Sequence, residues 1–229
     1  MPTEQNRFSG VRCLIFDLDG TLIDSKLDLA LAVNAAVHMM GRELLDHERI
    51  FSYVGQGAQR LIAQALGPDT SPEDCDRALA FFLAYYREHM LDNTVAYPGV
   101  REGLESLEGM PMAVLTNKPV RISKRILEGL GLERFFRYVY GGDSFSTKKP
   151  EPTGIRTLLR EFGASPKQTM LVGDSEIDVQ TARNADTFSC SVTYGFGWER
   201  LADYPSDLII NSLAELPAHL DSQPAGRRG

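Results

Sequence analysis

Two aspartates two positions apart, Asp17 and Asp19 in IFDLDGTLIDS (residues 15–25), close an apolar run and are followed at once by Gly20 and Thr21. Like charges this close repel: at an effective dielectric of 20, two unit charges about 4 Å apart cost roughly 4 kcal/mol. Three other short segments carry groups suited to the same work. Thr116 and Asn117 end the run MAVLTN, Lys149 precedes Pro150 in KKPEP, and Asp174 and Asp178 stand in GDSEID. Acidic side chains, two hydrogen-bonding side chains and one ammonium can together hold a small anion beside a cation. Oxygen-only ligands suit a hard ion, and Mg²⁺ commonly takes one or two carboxylates plus waters and substrate oxygens. A divalent ion among Asp17, Asp19 and Asp174 would reverse the repulsion and attract a phosphate.

These groups need elements to position them. Apolar, β-branched runs begin at Val11, Met112, Tyr138, Met170, Ser189 and Asp207, and from Met112 onward helical patterns alternate with them. In PVRISKRILEGLG, Ile122, Ile126 and Leu130 recur at helical spacing, with Gly131 as the closing glycine. TGIRTLLREFG repeats the pattern up to Gly163. Strands alternating with helices imply a mostly parallel sheet with right-handed crossovers. Residues 27–91 carry helical patterns only: one ends at Gly41, one at Gly67, and a third starts with Ser71 as N-cap and Pro72 behind it. The aromatic stripe of that third helix (Cys75, Leu79, Phe82, Tyr86) reads as core packing. The expectation is an α/β protein with a Rossmann-like parallel sheet core, residues 1–23 and 96–229, and an inserted helical cap domain, residues 24–95. Ile23–Ser25 and Val95–Gly99 would serve as hinges. In such a sheet, ligands bind beyond the carboxyl ends of the strands, where each of the segments above falls.

Composition narrows the function classes. At 229 residues and a formal charge of −7, the chain is poorly suited to nucleic-acid binding as its main activity, although a locally positive site for a small anion is compatible with that balance. Cys13, Cys75 and Cys190 form no CxxC pair, so neither a disulfide framework nor a zinc site is expected. His38, His47, His89 and His219 are scattered and read as structural or exposed. No run is long enough for a membrane span, and the N-terminus lacks the order of a signal peptide, so a cytoplasmic protein is expected. The tail from Asp221 reads as a frayed end.

The strings DLDGTLIDS, VLTNK, KKPEP and GDSEID, in this order, resemble the four motifs of the haloacid dehalogenase-like hydrolase superfamily, over about residues 11–215. The insertion sits where that superfamily places a helical cap of the first type. The fuller strings YVGQGAQRLI, VLTNKP and YGGDSFSTKKPEP are similar to those of phosphoglycolate phosphatases. The resemblance implies that Asp17 is the nucleophile that forms an aspartyl-phosphate, and that Asp19 is the acid and base for leaving group and water. It implies that Gly20, Thr116, Asn117 and Lys149 hold phosphate oxygens. Mg²⁺ would be held by Asp17, the Asp19 carbonyl, Asp174 and Asp178. One departure stands out: ARNADTF has Asp186 where the family commonly has glycine. Asp tolerates the left-handed conformation, so the helix end should survive.

Taken singly, Thr116-Asn117 reads equally as a turn, Lys149 as a solvated charge no different from Lys148, and Asp178 as a helix-start acid. Motif order tips all three toward a site. The substrate expected is a small phosphorylated metabolite, 2-phosphoglycolate first, with the chain acting as monomer or homodimer. Gln56, Gly57 and Arg60, at the start of a cap helix with free N–H groups, would seat the substrate carboxylate. A β-phosphoglucomutase-like mutase and a pyrophosphatase keep the same core motifs and stay open. A phospho-receiver is disfavoured by Asp19 and by the size of the insertion. Carbon–halogen and phosphonoacetaldehyde hydrolysis are disfavoured by Asp19, and the second also because Lys26 is the only lysine of the insertion.

Overall fold

The computed structural model describes residues 7–220, so the tail from Asp221 lies outside the described residues. The strands are β1 (Cys13–Phe16), β2 (Ile23–Asp24), β3 (Val95–Ala96), β4 (Met112–Leu115), β5 (Tyr138–Tyr140), β6 (Thr169–Gly173), β7 (Phe188–Val192) and β8 (Leu208–Ile210). The principal helices are α1 (Lys26–Met39), α2 (His47–Phe51), α3 (Ala58–Leu66), α4 (Pro72–His89), α5 (Val100–Ser106), α6 (Val120–Gly129), α7 (Thr153–Phe162) and α8 (Glu176–Asn184). No helix among them is long and apolar enough to cross a membrane.

Six strands form one parallel sheet in the order β5-β4-β1-β6-β7-β8. β1 is central, with Ile15 opposite Ala113 on one side and Leu171 on the other. It is buried on both faces, as parallel strands covered by crossover helices are. Leu14 and Phe16 join one core cluster with Ile122 and Ile126 of α6. Ile15 joins the other, with Ile155 and Leu158 of α7 and Ala182 of α8. The chain proceeds from β1 to β4 and β5, then crosses back to β6 on the other side of β1. That reversal opens a crevice at the carboxyl end of β1.

The helix ends follow local chemistry. Gly131 and Gly163 adopt left-handed backbone (φ 63° each) beyond α6 and α7. Asp186 does the same after α8 at φ 59°, the one non-glycine with positive φ among the described residues, and the helix ends there without disruption.

Helices α1–α4 leave the sheet after β2 and return through β3. The segments read as linkers in the sequence pair with each other as an antiparallel two-stranded ribbon, Ile23 opposite Ala96 and Asp24 opposite Val95. Alternation over two residues is too short to be seen as a strand, so this ribbon had no sequence signal. Asp28, in the first turn of α1, ties the two ends of the insertion together. Its buried carboxylate accepts from the backbone N–H groups of Asn93 and Thr94, from the Asn93 amide and from the Thr94 hydroxyl, at 2.7–3.0 Å. Replacing it with alanine strands the two buried donors of Thr94, whereas the exposed Asn93 can turn to water, and each buried loss costs about 1–3 kcal/mol. Asp28→Ala should therefore lower the urea unfolding midpoint by the equivalent of about 3 kcal/mol; an unchanged midpoint would show that the tie carries no stability.

Candidate active site

Three of the four segments singled out above begin one residue past a strand. Asp17 follows β1, Thr116 follows β4 and Asp174 follows β6, so the parallel register delivers all three to one edge of the sheet. Asp178 reaches the same place from the first turn of α8. Asp17, Asp174 and Asp178 are buried, and each offers an oxygen within 4.8 Å of the others. Burial pushes the Asp174 carboxyl up to about 8, with repulsion from Asp178 and Asp17 adding to it. Burial likewise pushes Asp17 up to about 6; Lys149 pulls it down and Asp178 pushes it up. The donor set is oxygen-only and short of positive charge, so a hard divalent cation fits it. Asp174 has its remaining hydrogen bonds in place: Thr21 Oγ1 donates to Oδ1 at 3.2 Å and Gly197 N–H to Oδ2 at 2.9 Å.

Lys149, almost wholly buried, is the one ammonium inside this cluster. Its Nζ lies 2.6 Å from Asp178 Oδ1 and 2.8 Å from Asp17 Oδ1. The second contact is an ion pair without good hydrogen-bond alignment, which leaves Asp17 Oδ1 short of a partner. Two facing carboxylates outweigh burial and hold the lysine well above its usual range. Asp178 also accepts from the N–H (3.2 Å) and hydroxyl (2.7 Å) of Ser175 through Oδ2. With both oxygens engaged, it orients Lys149 and caps α8 as well as facing the cluster.

Gly20 and Asn117 do something other than the sequence suggested. Gly20 was expected to let the N–H groups of its turn approach phosphate oxygens; its own N–H donates to Ile23 O at 2.9 Å. Glycine is needed there because the backbone is left-handed (φ 84°) and a Cβ would run into the Asp174 carboxylate. Asn117 was expected to hold phosphate through its amide. Instead Nδ2 donates to Gly55 O (3.0 Å) and Lys149 O (3.1 Å), while Oδ1 accepts from Lys149 N–H (3.0 Å). The amide is fully engaged in clamping the Lys149 loop and the loop before α3. Thr116, buried, faces the crevice, with its hydroxyl accepting from Lys118 N–H at 3.3 Å.

Asp19 points into the crevice beside three groups not named as site residues from sequence. Ser25 Oγ donates to its Oδ1 at 2.5 Å, and Lys118 Nζ lies 2.9 and 3.1 Å from its two oxygens. Lys118 is buried, a condition that by itself would lower its pKa; Asp19 and Tyr86 outweigh this and raise it. Tyr86 of α4 lies against Lys118, its ring centre 4.6 Å from Nζ. The aromatic stripe of α4 is thus core packing and crevice wall at once, since Phe82 and Tyr86 are both. Lys118 follows Thr116-Asn117 directly, so its position held a signal; Tyr86, distant in sequence, held none.

The crevice is a narrow one, with about 50 Å³ of cavity volume, and it is partly open to solvent. The sheet edge lines it with Asp17, Asp19, Thr116, Asn117 and Lys118, and the helical insertion with Leu29, Val54, Leu61, Phe82, Leu83 and Tyr86. Gly57 lines it too. Gln56 and Arg60 do not: both are exposed and outside the lining. On α3 the buried stripe is Leu61, Ile62, Ala65 and Leu66, and that register turns Arg60 to solvent. Next to the mouth, Arg87, Arg121 and Arg125 border a hollow that shares Leu83, Pro119 and Ile122 with the crevice, a cationic rim on an acidic chain.

Residues 14–192 match the family profile described as haloacid dehalogenase-like hydrolase. The chain is 39% identical over 212 residues to a phosphoglycolate phosphatase of Chromobacterium violaceum, covering 90% of this chain and 95% of that one. It is 41% identical to a phosphoglycolate phosphatase of Pseudomonas putida, covering 90% and 78%. Among solved structures it is similar to one described as a predicted phosphoglycolate phosphatase from Haemophilus somnus, with TM-score 0.84, 31% identity and coverage of 90% and 96%.

If the carboxylate cluster is a cation site, Mg²⁺ should raise the melting temperature of the wild-type protein. Asp174→Asn should remove that increase, because a neutral amide no longer supplies a ligand charge to the ion. An equal Mg²⁺ shift in both proteins would place the ion elsewhere.

Proposed function

The chain belongs to the haloacid dehalogenase-like hydrolase family, and on that premise we propose that it is a phosphoric monoester hydrolase acting on 2-phosphoglycolate. One observation carries the reading: a buried carboxylate, Asp17, lies at the mid-sheet crevice with an ammonium 2.8 Å away and two further carboxylates around it. A nucleophile, a counter-charge for phosphate and a cation-ready donor set therefore share one point. Residues 1–23 and 96–229 act as the catalytic core and residues 24–95 as the cap, with the β2–β3 ribbon as the joint between them.

The Asp17 carboxylate attacks phosphorus. A bond forms from its oxygen to phosphorus while the bond from phosphorus to the ester oxygen breaks. Asp19, held by Ser25 and Lys118, gives a proton to the departing oxygen and then takes one from the water that attacks the aspartyl-phosphate. Hydrolysis releases phosphate and restores the Asp17 carboxylate. Lys149 and the Thr116 hydroxyl stabilise the charge developing on the phosphoryl oxygens, and Asn117 and Asp178 keep Lys149 in place. Asp17, Asp174 and the Asp19 carbonyl, with Asp178 adjoining, would hold Mg²⁺, which when bound would supply the charge that lets a phosphate dianion approach these carboxylates. The cap excludes bulk water.

The apolar cap wall favours a short substrate. A hexose phosphate brings several hydroxyls that would lie unpaired against Leu29, Leu61 and Phe82, which weighs against a phosphosugar mutase. The names of the relatives above support the two-carbon acid.

With Mg²⁺ present, steady phosphate release from 2-phosphoglycolate should exceed release from β-glucose 1-phosphate or pyrophosphate. Asp17→Asn should abolish it, and Asp19→Asn should lower kcat by about 10²–10⁴-fold. Equal rates on the three compounds would remove the substrate assignment; release undiminished in Asp17→Asn would remove the mechanism.

A further inference from the structure

The steps above leave two buried polar groups of the crevice only partly used. Lys118 Nζ contacts the two Asp19 oxygens, which occupies at most two of its three N–H donors. Its side chain is 5% exposed and faces the crevice. The Tyr86 hydroxyl, on a residue 1% exposed, lines the same space beside the Lys118 ammonium, from which it can only accept, so its own O–H meets no acceptor. Buried polar groups are nearly always paired, and an unpaired one facing a cavity marks a place for a ligand atom. Around these two groups the cap offers mostly apolar side chains, as at Leu29, Leu61 and Phe82, with backbone at Gly55 and Gly57.

Position fixes which part of a substrate they meet. Asp19 must reach the ester oxygen, so an ammonium resting on the Asp19 carboxylate lies one or two atoms further along the substrate. Both groups can donate further: the ammonium has only N–H, and the hydroxyl of Tyr86, whose ring centre lies 4.6 Å from that nitrogen, turns its O–H toward any acceptor. A carboxylate accepts from both and matches the charge; a neutral hydroxymethyl group does neither as well.

We infer that Lys118 and Tyr86 form the subsite for a carboxylate carried next to the ester carbon, and that they, rather than Gln56 and Arg60, set the selectivity of the enzyme. The inference rests on the phosphatase reading above and gives its substrate class a structural origin: short phosphate esters of 2-hydroxy acids. Tyr86 arrives on the cap and Lys118 on the core, so the subsite is complete only with the two parts together.

The test compares kcat/KM for 2-phosphoglycolate with that for 2-hydroxyethyl phosphate, which replaces the carboxylate by a neutral group, in wild type, Tyr86→Phe, Lys118→Gln and Lys118→Arg with Mg²⁺. The wild type should prefer the acid. Tyr86→Phe and Lys118→Gln should each reduce that preference by about tenfold or more, chiefly through KM for the acid, and Lys118→Arg should regain part of it. Tyr86→Phe removes one hydroxyl and keeps the ring, so if Lys118→Gln fails to fold, a melting curve identifies it and Tyr86→Phe decides alone. A wild type that prefers the acid, with the preference intact in Tyr86→Phe, overturns this subsite and leaves the substrate reading standing. A wild type that hydrolyses the two esters equally overturns both.

Discussion

Concentrated negative charge at a buried point is the constraint that organises this molecule. Asp17, Asp174 and Asp178 converge where the strand order reverses beside β1, and water is largely excluded there. Burial alone disfavours their ionised forms, as the raised Asp17 and Asp174 carboxyls record. One lysine cannot balance three carboxylates. The same deficit that makes the metal-free cluster costly makes it a strong attractor for a divalent ion, and through that ion for phosphate.

Much of the surrounding structure serves to keep these charges in place. Asn117 grips the backbone on both sides of Lys149 and reaches the cap loop at Gly55. Asp178 orients the Lys149 ammonium and takes two hydrogen bonds from Ser175. The loop after β7 contributes as well: Gly197 N–H reaches Asp174, and a Cβ at Gly195 would strike the same side chain. A site of this kind is as precise as the groups that hold its working residues.

The two parts of the chain divide the labour along physical lines. The sheet, with the loops and the α8 helix that follow its strands, supplies the carboxylates of the cluster and both lysines, and it addresses phosphate. The helices supply apolar wall with one hydroxyl set in it. A phosphate-binding edge cannot distinguish one ester from another, whereas a narrow apolar wall with a single polar point can, because any unmatched polar group on the substrate is left without a partner.

Sequence and structure carried different shares of this account. The runs at Val11, Met112 and Met170 located the strands, Gly131, Gly163 and Asp186 the helix ends, and the segments following the runs located Asp17, Thr116 and Asp174 at strand ends, because strand and helix periods are local properties written in consecutive residues. The order of motifs placed Lys149 and Asp178 with them. The β2–β3 ribbon, the clamping role of Asn117, the outward turn of Gln56 and Arg60, and the meeting of Ser25, Lys118 and Tyr86 at Asp19 were decided only in three dimensions. Each depends on which way a side chain faces once helices pack on a sheet and on partners scores of residues away. A one-dimensional pattern fixes a residue's place on its own element, but only packing fixes what stands opposite it.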